Sequence, residues 1–143
     1  MADLVRYDRY GVEVINVNLV KGTVKGVWGG QSFSDTLKNI KNIHGSRDDD
    51  DTLIGDADDN RLIGGKKADV FVFNNALNKG VDRIKDFTNG VDLIRIEGAL
   101  FCDLIIKKAS GGADSKIILD SGPKIILEGV NKSGIEISDF DFI

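Results

Sequence analysis

Among 143 residues there is one cysteine, one proline, one histidine and one tryptophan. A single cysteine, Cys102, excludes an internal disulfide framework; its expected place is that of a small apolar residue buried in the core. A zinc site would need a cluster of His and Cys that the chain lacks. The lone histidine, His44, precedes a glycine and reads as a turn residue rather than a general base, since no nucleophile motif accompanies it. No apolar run approaches the roughly 20 residues of a membrane helix. Residues 1–10 mix arginine with aspartate and contain no apolar h-region, so no Sec signal is read there. A formal net charge of -4 disfavours nucleic acid, because phosphate binding needs a basic face. There is no Gly-Lys-Ser/Thr phosphate loop. Carboxylate pairs are too numerous for any one to read as a glycosidase pair. The chain is expected to be non-enzymatic.

Glycine and acid are plentiful. The 17 glycines beside one proline fit tight turns and strands better than a helical bundle. With 41% hydrophobic and 29% charged residues, the composition is that of an ordinary globular chain. Its length suits one domain, 1–143. Three regions are expected within it: N-terminal strands and lead-in over 1–44, repeats over 45–73, and a C-terminal β-region over 74–143.

Residues 45–73 fall into register every nine residues. The apolar pairs Leu53/Ile54, Leu62/Ile63 and Phe71/Val72 recur at that spacing, as do Gly55 and Gly64, and Asp51, Asn60 and Asp69. Each unit is a polar turn followed by a short strand. A unit this short cannot bury its own apolar face, so successive units must stack. Two units would make one full coil, which brings turns two units apart onto the same side. Strands stack roughly 4.8 Å apart. Two carboxylates at that separation repel by roughly 3 kcal/mol at an effective dielectric near 20. Calcium turns such repulsion into cohesion, because it accepts carboxylate and backbone carbonyl oxygens together. The nonapeptide Gly-Gly-x-Gly-x-Asp-x-apolar-x is the sequence form of a calcium-binding parallel β-roll.

These repeats resemble those of the RTX proteins, the hemolysin-type calcium-binding repeats of secreted bacterial proteins. Residues 35–46 look like the lead-in that often precedes such repeats, and 69–73 like the strand that closes the array. Residues 82–87, 127–130 and 139–142 resemble the C-terminal part of the same modules. The likeness covers nearly the whole chain, with departures. Lys66 and Lys67 stand where the family has a small residue and a third glycine, Asp58 replaces that glycine in the preceding unit, and the first turn carries an extra acidic residue.

The resemblance implies an all-β fold: a parallel β-roll, or β-solenoid, with more irregular strands toward the C-terminus. It implies calcium ligands at the side chains of Asp51 and Asp69, with Asn60 a weaker analogue. Backbone carbonyls of Gly55, Ala57, Gly64 and Lys66 fall at the first and third places of their turns. Asp49 or Asp50 substitutes for Asp51 if the extra residue shifts the register. Asp82 and Asp86 match an element that often closes the last site, the alternative being a solvated strand end. Asp48, Asp56, Asp58 and Asp59 read as acidic decoration. The run 56–60 also satisfies the first three ligand places of an EF-hand loop, but Arg61 and Lys67 stand where glycine and glutamate are required.

Outside the repeats, strands are expected at 3–7, 12–20, 23–28, 81–87, 93–96, 104–107, 116–119 and 124–127. Turns are expected at Gly22, at 29–32, and at Gly90, Gly111-Gly112 and Ser121-Gly122-Pro123. Residues 34–43 read as an irregular rung in preference to one helical turn. The expected function is that of a calcium-binding module, secreted and extracellular, that folds on binding the ion. Family resemblance implies export by type I secretion machinery that reads an uncleaved C-terminal signal, with 139–143 as a candidate. The chain would then be the C-terminal part of a longer parent polypeptide. A second reading is a carbohydrate- or surface-binding module, as in adhesins or polysaccharide-modifying enzymes, with Arg47, Arg61, Lys66 and Lys67 meeting an anionic polysaccharide.

Overall fold

The computed structural model describes residues 3–109, 112–120 and 122–143. Gly111 and Ser121, parts of two expected turns, lie outside these. The protein is all-β, with two seven-stranded mixed sheets and, among the described residues, no α-helix. The first sheet has the order β1 (Asp3–Arg6), β5 (Ile40–His44), β7 (Arg61–Ile63), β9 (Val81–Ile84), β13 (Lys124–Leu127), β12 (Ser115–Leu119) and β11 (Leu104–Lys108). The second has the order β14 (Phe140–Phe142), β10 (Leu93–Glu97), β8 (Val70–Asn74), β6 (Thr52–Ile54), β2 (Val12–Asn18), β3 (Thr23–Trp28) and β4 (Gln31–Thr36).

From β5 to β10 consecutive strands alternate between the sheets, and each pairs in parallel with the strand two places on. Leu53 lies beside Phe71, and Phe71 beside Ile94. On the opposite sheet Ile43 lies beside Leu62, and Leu62 beside Ile84. The nine-residue spacing therefore sends Leu53, Leu62 and Phe71 inward from alternate sheets, all fully buried. Pairing two units apart follows from length: three strand residues and a six-residue turn are enough to cross to the facing sheet and no more. One apolar cluster joins both sheets, from Tyr7 to Phe140.

Antiparallel hairpins flank the parallel stacks. At one end β2, β3 and β4 form a meander on the second sheet, with a bulge in β2 before Ile15. At the other, β13, β12 and β11 do the same on the first sheet. Several expectations need correction. Residues 34–43 form no helical turn, and only their second half belongs to a rung, β5 pairing in parallel with β1 and β7. They split between β4 and β5 at Asn39, whose φ of 56° makes the turn. The expected loop 29–32 is only the pair Gly29-Gly30, both at positive φ as a two-residue hairpin demands, while Gln31 and Ser32 belong to β4. Cys102 is exposed, because its 3-10 turn (Phe101–Asp103) directs Phe101 toward Phe140 and Phe142 and leaves the thiol outside.

Candidate functional site

The turns lie along the two margins where the sheets meet. One margin carries the turns 45–51, 64–69 and 85–92, each leading from the first sheet into the second. Every one of these turns ends in a buried aspartate: Asp51, Asp69 and Asp92. They are chained by hydrogen bonds. The N–H of Ile15 donates to Asp51 Oδ1 at 2.9 Å, that of Asp51 to Asp69 Oδ1 at 2.9 Å, and that of Asp69 to Asp92 Oδ1 at 3.0 Å. Asp139 extends the line, accepting from Gly90 N–H at 3.1 Å. Each carboxylate thus caps the amide of the preceding rung.

In the first turn Asp51, rather than Asp49 or Asp50, occupies the buried hydrogen-bonded line. Its carboxylate also accepts from the N–H and hydroxyl of Ser46, so both oxygens are engaged. Asp49 and Asp50 lie outside this line: Asp50 accepts from Ala68 N–H at 3.0 Å, and Asp49 pairs with Lys67 at 3.0 Å. Asp48 pairs with Lys66 at 2.8 Å. Two ammonium groups from the 64–69 turn thus sit against the acids of the 45–51 turn. Lys67 occupies the place of the missing glycine at a φ of 67°, a left-handed conformation that costs a side-chain-bearing residue roughly 1 kcal/mol or more.

Asp69 is 1% exposed, and its Oδ2 has no hydrogen-bond partner. That oxygen occupies the space a side chain on Gly64 would need. Gly45 in turn makes room for Asp51 Oδ2 and for the Gly64 carbonyl. Glycine is required at both places by close approach, since neither has positive φ.

The opposite margin carries the turns 55–60 and 75–80 and is less acidic inside. Asn60 Oδ1 accepts from Asp56 N–H, and its Nδ2 donates to Asp56 Oδ1, both at 2.9 Å. Asn60 N–H donates to Asp82 Oδ1 at 2.9 Å. Asp82 is fully buried, and its Oδ2 also lacks a partner. Asn78 is buried and donates to the Asp56 carbonyl. Gly55 packs against Asn60 Oδ1, while Ala57 is exposed at the tip of the turn. Asp86 accepts from the N–H groups of both Gly64 and Gly65, at 3.0 and 2.9 Å, and so belongs to the first margin. Neither Asp82 nor Asp86 is a solvated strand end.

Burial raises the pKa of these acids. Asp69 is pushed up to about 8, chiefly by desolvation, with the Asp51 amide opposing and the charges of Asp51 and Asp92 adding. Asp82 rises to about 7 and Asp51 to about 6, again mainly by desolvation, with backbone amides pulling the other way. Asp92 is raised by the same cause. A buried carboxylate with a free oxygen is satisfied by a proton, a cation or a buried water.

Among the described residues no three acidic, His or Cys side chains converge as a ligand cluster. A cation at either margin would draw on one or two carboxylates and complete its shell with backbone carbonyls and water. The unpartnered oxygens of Asp69 and Asp82 fit such an ion. The nonapeptide spacing located Asp51, Asn60 and Asp69, but it missed Asp92 and Asp139. Asp92 lies 23 residues after Asp69, outside the repeat, and only its place before the apolar strand 93–97 marked it. No protein-family model matches this chain, and no curated protein matches it.

Proposed function

We propose that this chain is a non-catalytic calcium-binding module whose stacked turns form a parallel β-roll of the RTX kind. What carries the reading is the pair of buried oxygens, Asp69 Oδ2 and Asp82 Oδ2, one on each margin and neither with a partner. At the first margin Asp69 and the carbonyls of Gly64 and Lys66 would hold the ion, with Asp86, whose charge acts on Asp69, nearby. At the second, Asp82 would do so with the carbonyls of Gly55 and Ala57, while Asn60, whose Oδ1 already accepts from Asp56 N–H, acts as a cap. Asp51 acts mainly as a cap, because its oxygens already accept hydrogen bonds. Calcium would supply the positive charge that lets buried carboxylates stay ionised, so its binding energy becomes folding energy.

A module of this design remains loose where free calcium is scarce and folds where it is abundant, which suits a secreted, extracellular protein. Export by a type I system, as the C-terminal part of a longer polypeptide, belongs to the same proposal. The test is a calcium titration after chelation, followed by far-UV circular dichroism and calorimetry, with magnesium as control. A calcium-specific gain of β-signal, with heat of binding that shrinks in Asp69→Asn, is the expected result. Full β-signal in chelator together with no heat of binding would overturn the proposal.

A further inference from the structure

Four strands, β1, β11, β14 and β4, bound the two sheets, and three of these edges are blunted. β1 has four residues, and its register against β5 shifts between Asp3 and Leu4. β14 has only three residues. β11 carries Lys107 and Lys108. Short length, irregular register and lysine are devices that keep a sheet edge from pairing with another chain. β4 has none of them. It runs six residues, pairs with β3 without a bulge, and contains no lysine, arginine or proline.

The hairpin fixes which groups this edge offers. The two-residue loop Gly29-Gly30 makes Trp28 and Gln31 a hydrogen-bonded pair, so Gly26 with Phe33 and Val24 with Asp35 are hydrogen-bonded as well. The bond from Leu37 N–H to the Gly22 carbonyl, at 2.8 Å, continues the same alternation. Ser32, Ser34 and Thr36 fall between these pairs, and their N–H and C=O groups point away from β3. Among the described residues no strand receives them. On the face turned toward the core, Phe33 lies over Gly26, where a Cβ would meet the ring at 2.9 Å. The same ring stacks on Tyr7 at a centroid separation of 5.9 Å. Beside it opens a groove of about 350 Å³ that Arg9, Trp28 and Asp35 help to line.

We propose that β4 pairs antiparallel with β4 of a second copy, joining their second sheets about a two-fold axis at Ser34. With the axis there, Ser34 meets its own counterpart and Ser32 meets Thr36, so all the outward-pointing residues of both strands are used. An axis at Phe33 or Asp35 would leave Thr36 or Ser32 opposite a turn. The outer face then pairs serine with serine and serine with threonine, hydroxyls that hydrogen-bond across a sheet. On the inner face Phe33 lies opposite Asp35 and diagonal to Phe33 of the other copy, at roughly 7–8 Å, within reach of aromatic rings. The Tyr7–Phe33 stack thus continues into its symmetry mate. Arg9 pairs with no carboxylate among the described residues, and it shares the groove with Asp35, so it offsets the two carboxylates brought toward the axis. A second copy supplies both the matching hydroxyl row and the diagonal ring, which an arbitrary strand does not.

The test is sedimentation velocity of the calcium-supplemented chain, shown folded by circular dichroism, at concentrations up to about 1 mM. A monomer–dimer equilibrium with a Kd of about 100 μM or tighter is expected. Ser34→Lys sets two ammonium groups opposite each other, and Ser34→Pro removes the central N–H. Each should raise the Kd about tenfold or more. Neither breaks a bond to β3, because residue 34 turns its backbone groups outward. Ile105→Lys, on the β11 edge, should leave the Kd unchanged. In a Cys102→Ser background, Ser34→Cys should oxidise to a covalent dimer, whereas Ser32→Cys should do so only when mixed with Thr36→Cys. A chain that stays monomeric throughout, whether the edge serves another polypeptide or none, would overturn the proposal. So would a dimer that both Ser34 substitutions leave intact, or one that Ile105→Lys dissolves.

Discussion

Asp51 donates its backbone N–H to the carboxylate of Asp69, 18 residues further along and one full circuit of the two sheets away. The same residue offers its own carboxylate to Ile15. Asp51 and Asp69 are therefore both donor and acceptor between layers, and removal of either disturbs two, whereas Asp92 only accepts, its own N–H going to Thr88 within the turn.

Asp69→Asn separates the cap from the charge. Asparagine keeps the Oδ1 acceptor for Asp51 and removes an ionisable group from a buried place. In chelator the variant should melt at or above the temperature of the unsubstituted chain, and the rise in Tm on adding calcium should fall by half or more. Asp69→Ala should instead cost about 1–3 kcal/mol in chelator, because the Asp51 amide loses its acceptor. Thermal melts of both variants with and without calcium make the comparison.

pH should act on the calcium-free chain with a definite sign. Asp69, Asp82 and Asp51 have folded-state pKa values of about 8, 7 and 6, above the ordinary value of 3.8. Between pH 4 and 8 the folded state therefore binds more protons than the unfolded one, and stability falls as pH rises through that window. Above pH 8 the loss is complete. Melts in chelator should show Tm dropping by about 5 °C or more from pH 5 to pH 8, and saturating calcium should flatten the slope. A Tm that rises over this range would contradict the burial described for these acids.

Lys67→Gly should stabilise the chain. The substitution relieves a left-handed conformation worth roughly 1 kcal/mol or more and gives up an exposed ion pair worth about 0–1 kcal/mol. Urea denaturation should show a net gain of about 0.5 kcal/mol.

Phe71→Ala tests the shared core. The ring is fully buried between Leu53 and Ile94 on its own sheet and faces Phe87 across a 6.4 Å centroid separation. Its truncation should cost about 3–5 kcal/mol in urea unfolding. A loss under 1 kcal/mol would mean that the core does not act as one unit.

The repeat was the most readable part of the chain, because a nine-residue period fixes both which residue turns inward and which strand it meets. Leu53, Leu62 and Phe71 followed from spacing alone. Strand positions outside the repeat also followed from alternation, as in Thr23–Trp28 and Lys124–Leu127. The segment 34–43 was harder to read. Leu37, Ile40 and Ile43 lie three apart, and helical spacing and a hairpin strand joined to a rung by a left-handed Asn39 look alike until pairing partners are known. Asp92 and Asp139 escaped for a related reason: their role is to cap an amide in another layer, and no local pattern encodes that.

The capping line has a direction. Donors at Ile15, Asp51 and Asp69 precede their acceptors Asp51, Asp69 and Asp92 in the chain. A polypeptide emerging from its amino end would hold every newly formed layer incomplete until the following one arrived, so closure would always lag growth by one circuit. Emergence from the other end would present acceptors first, and each incoming layer would lock at once.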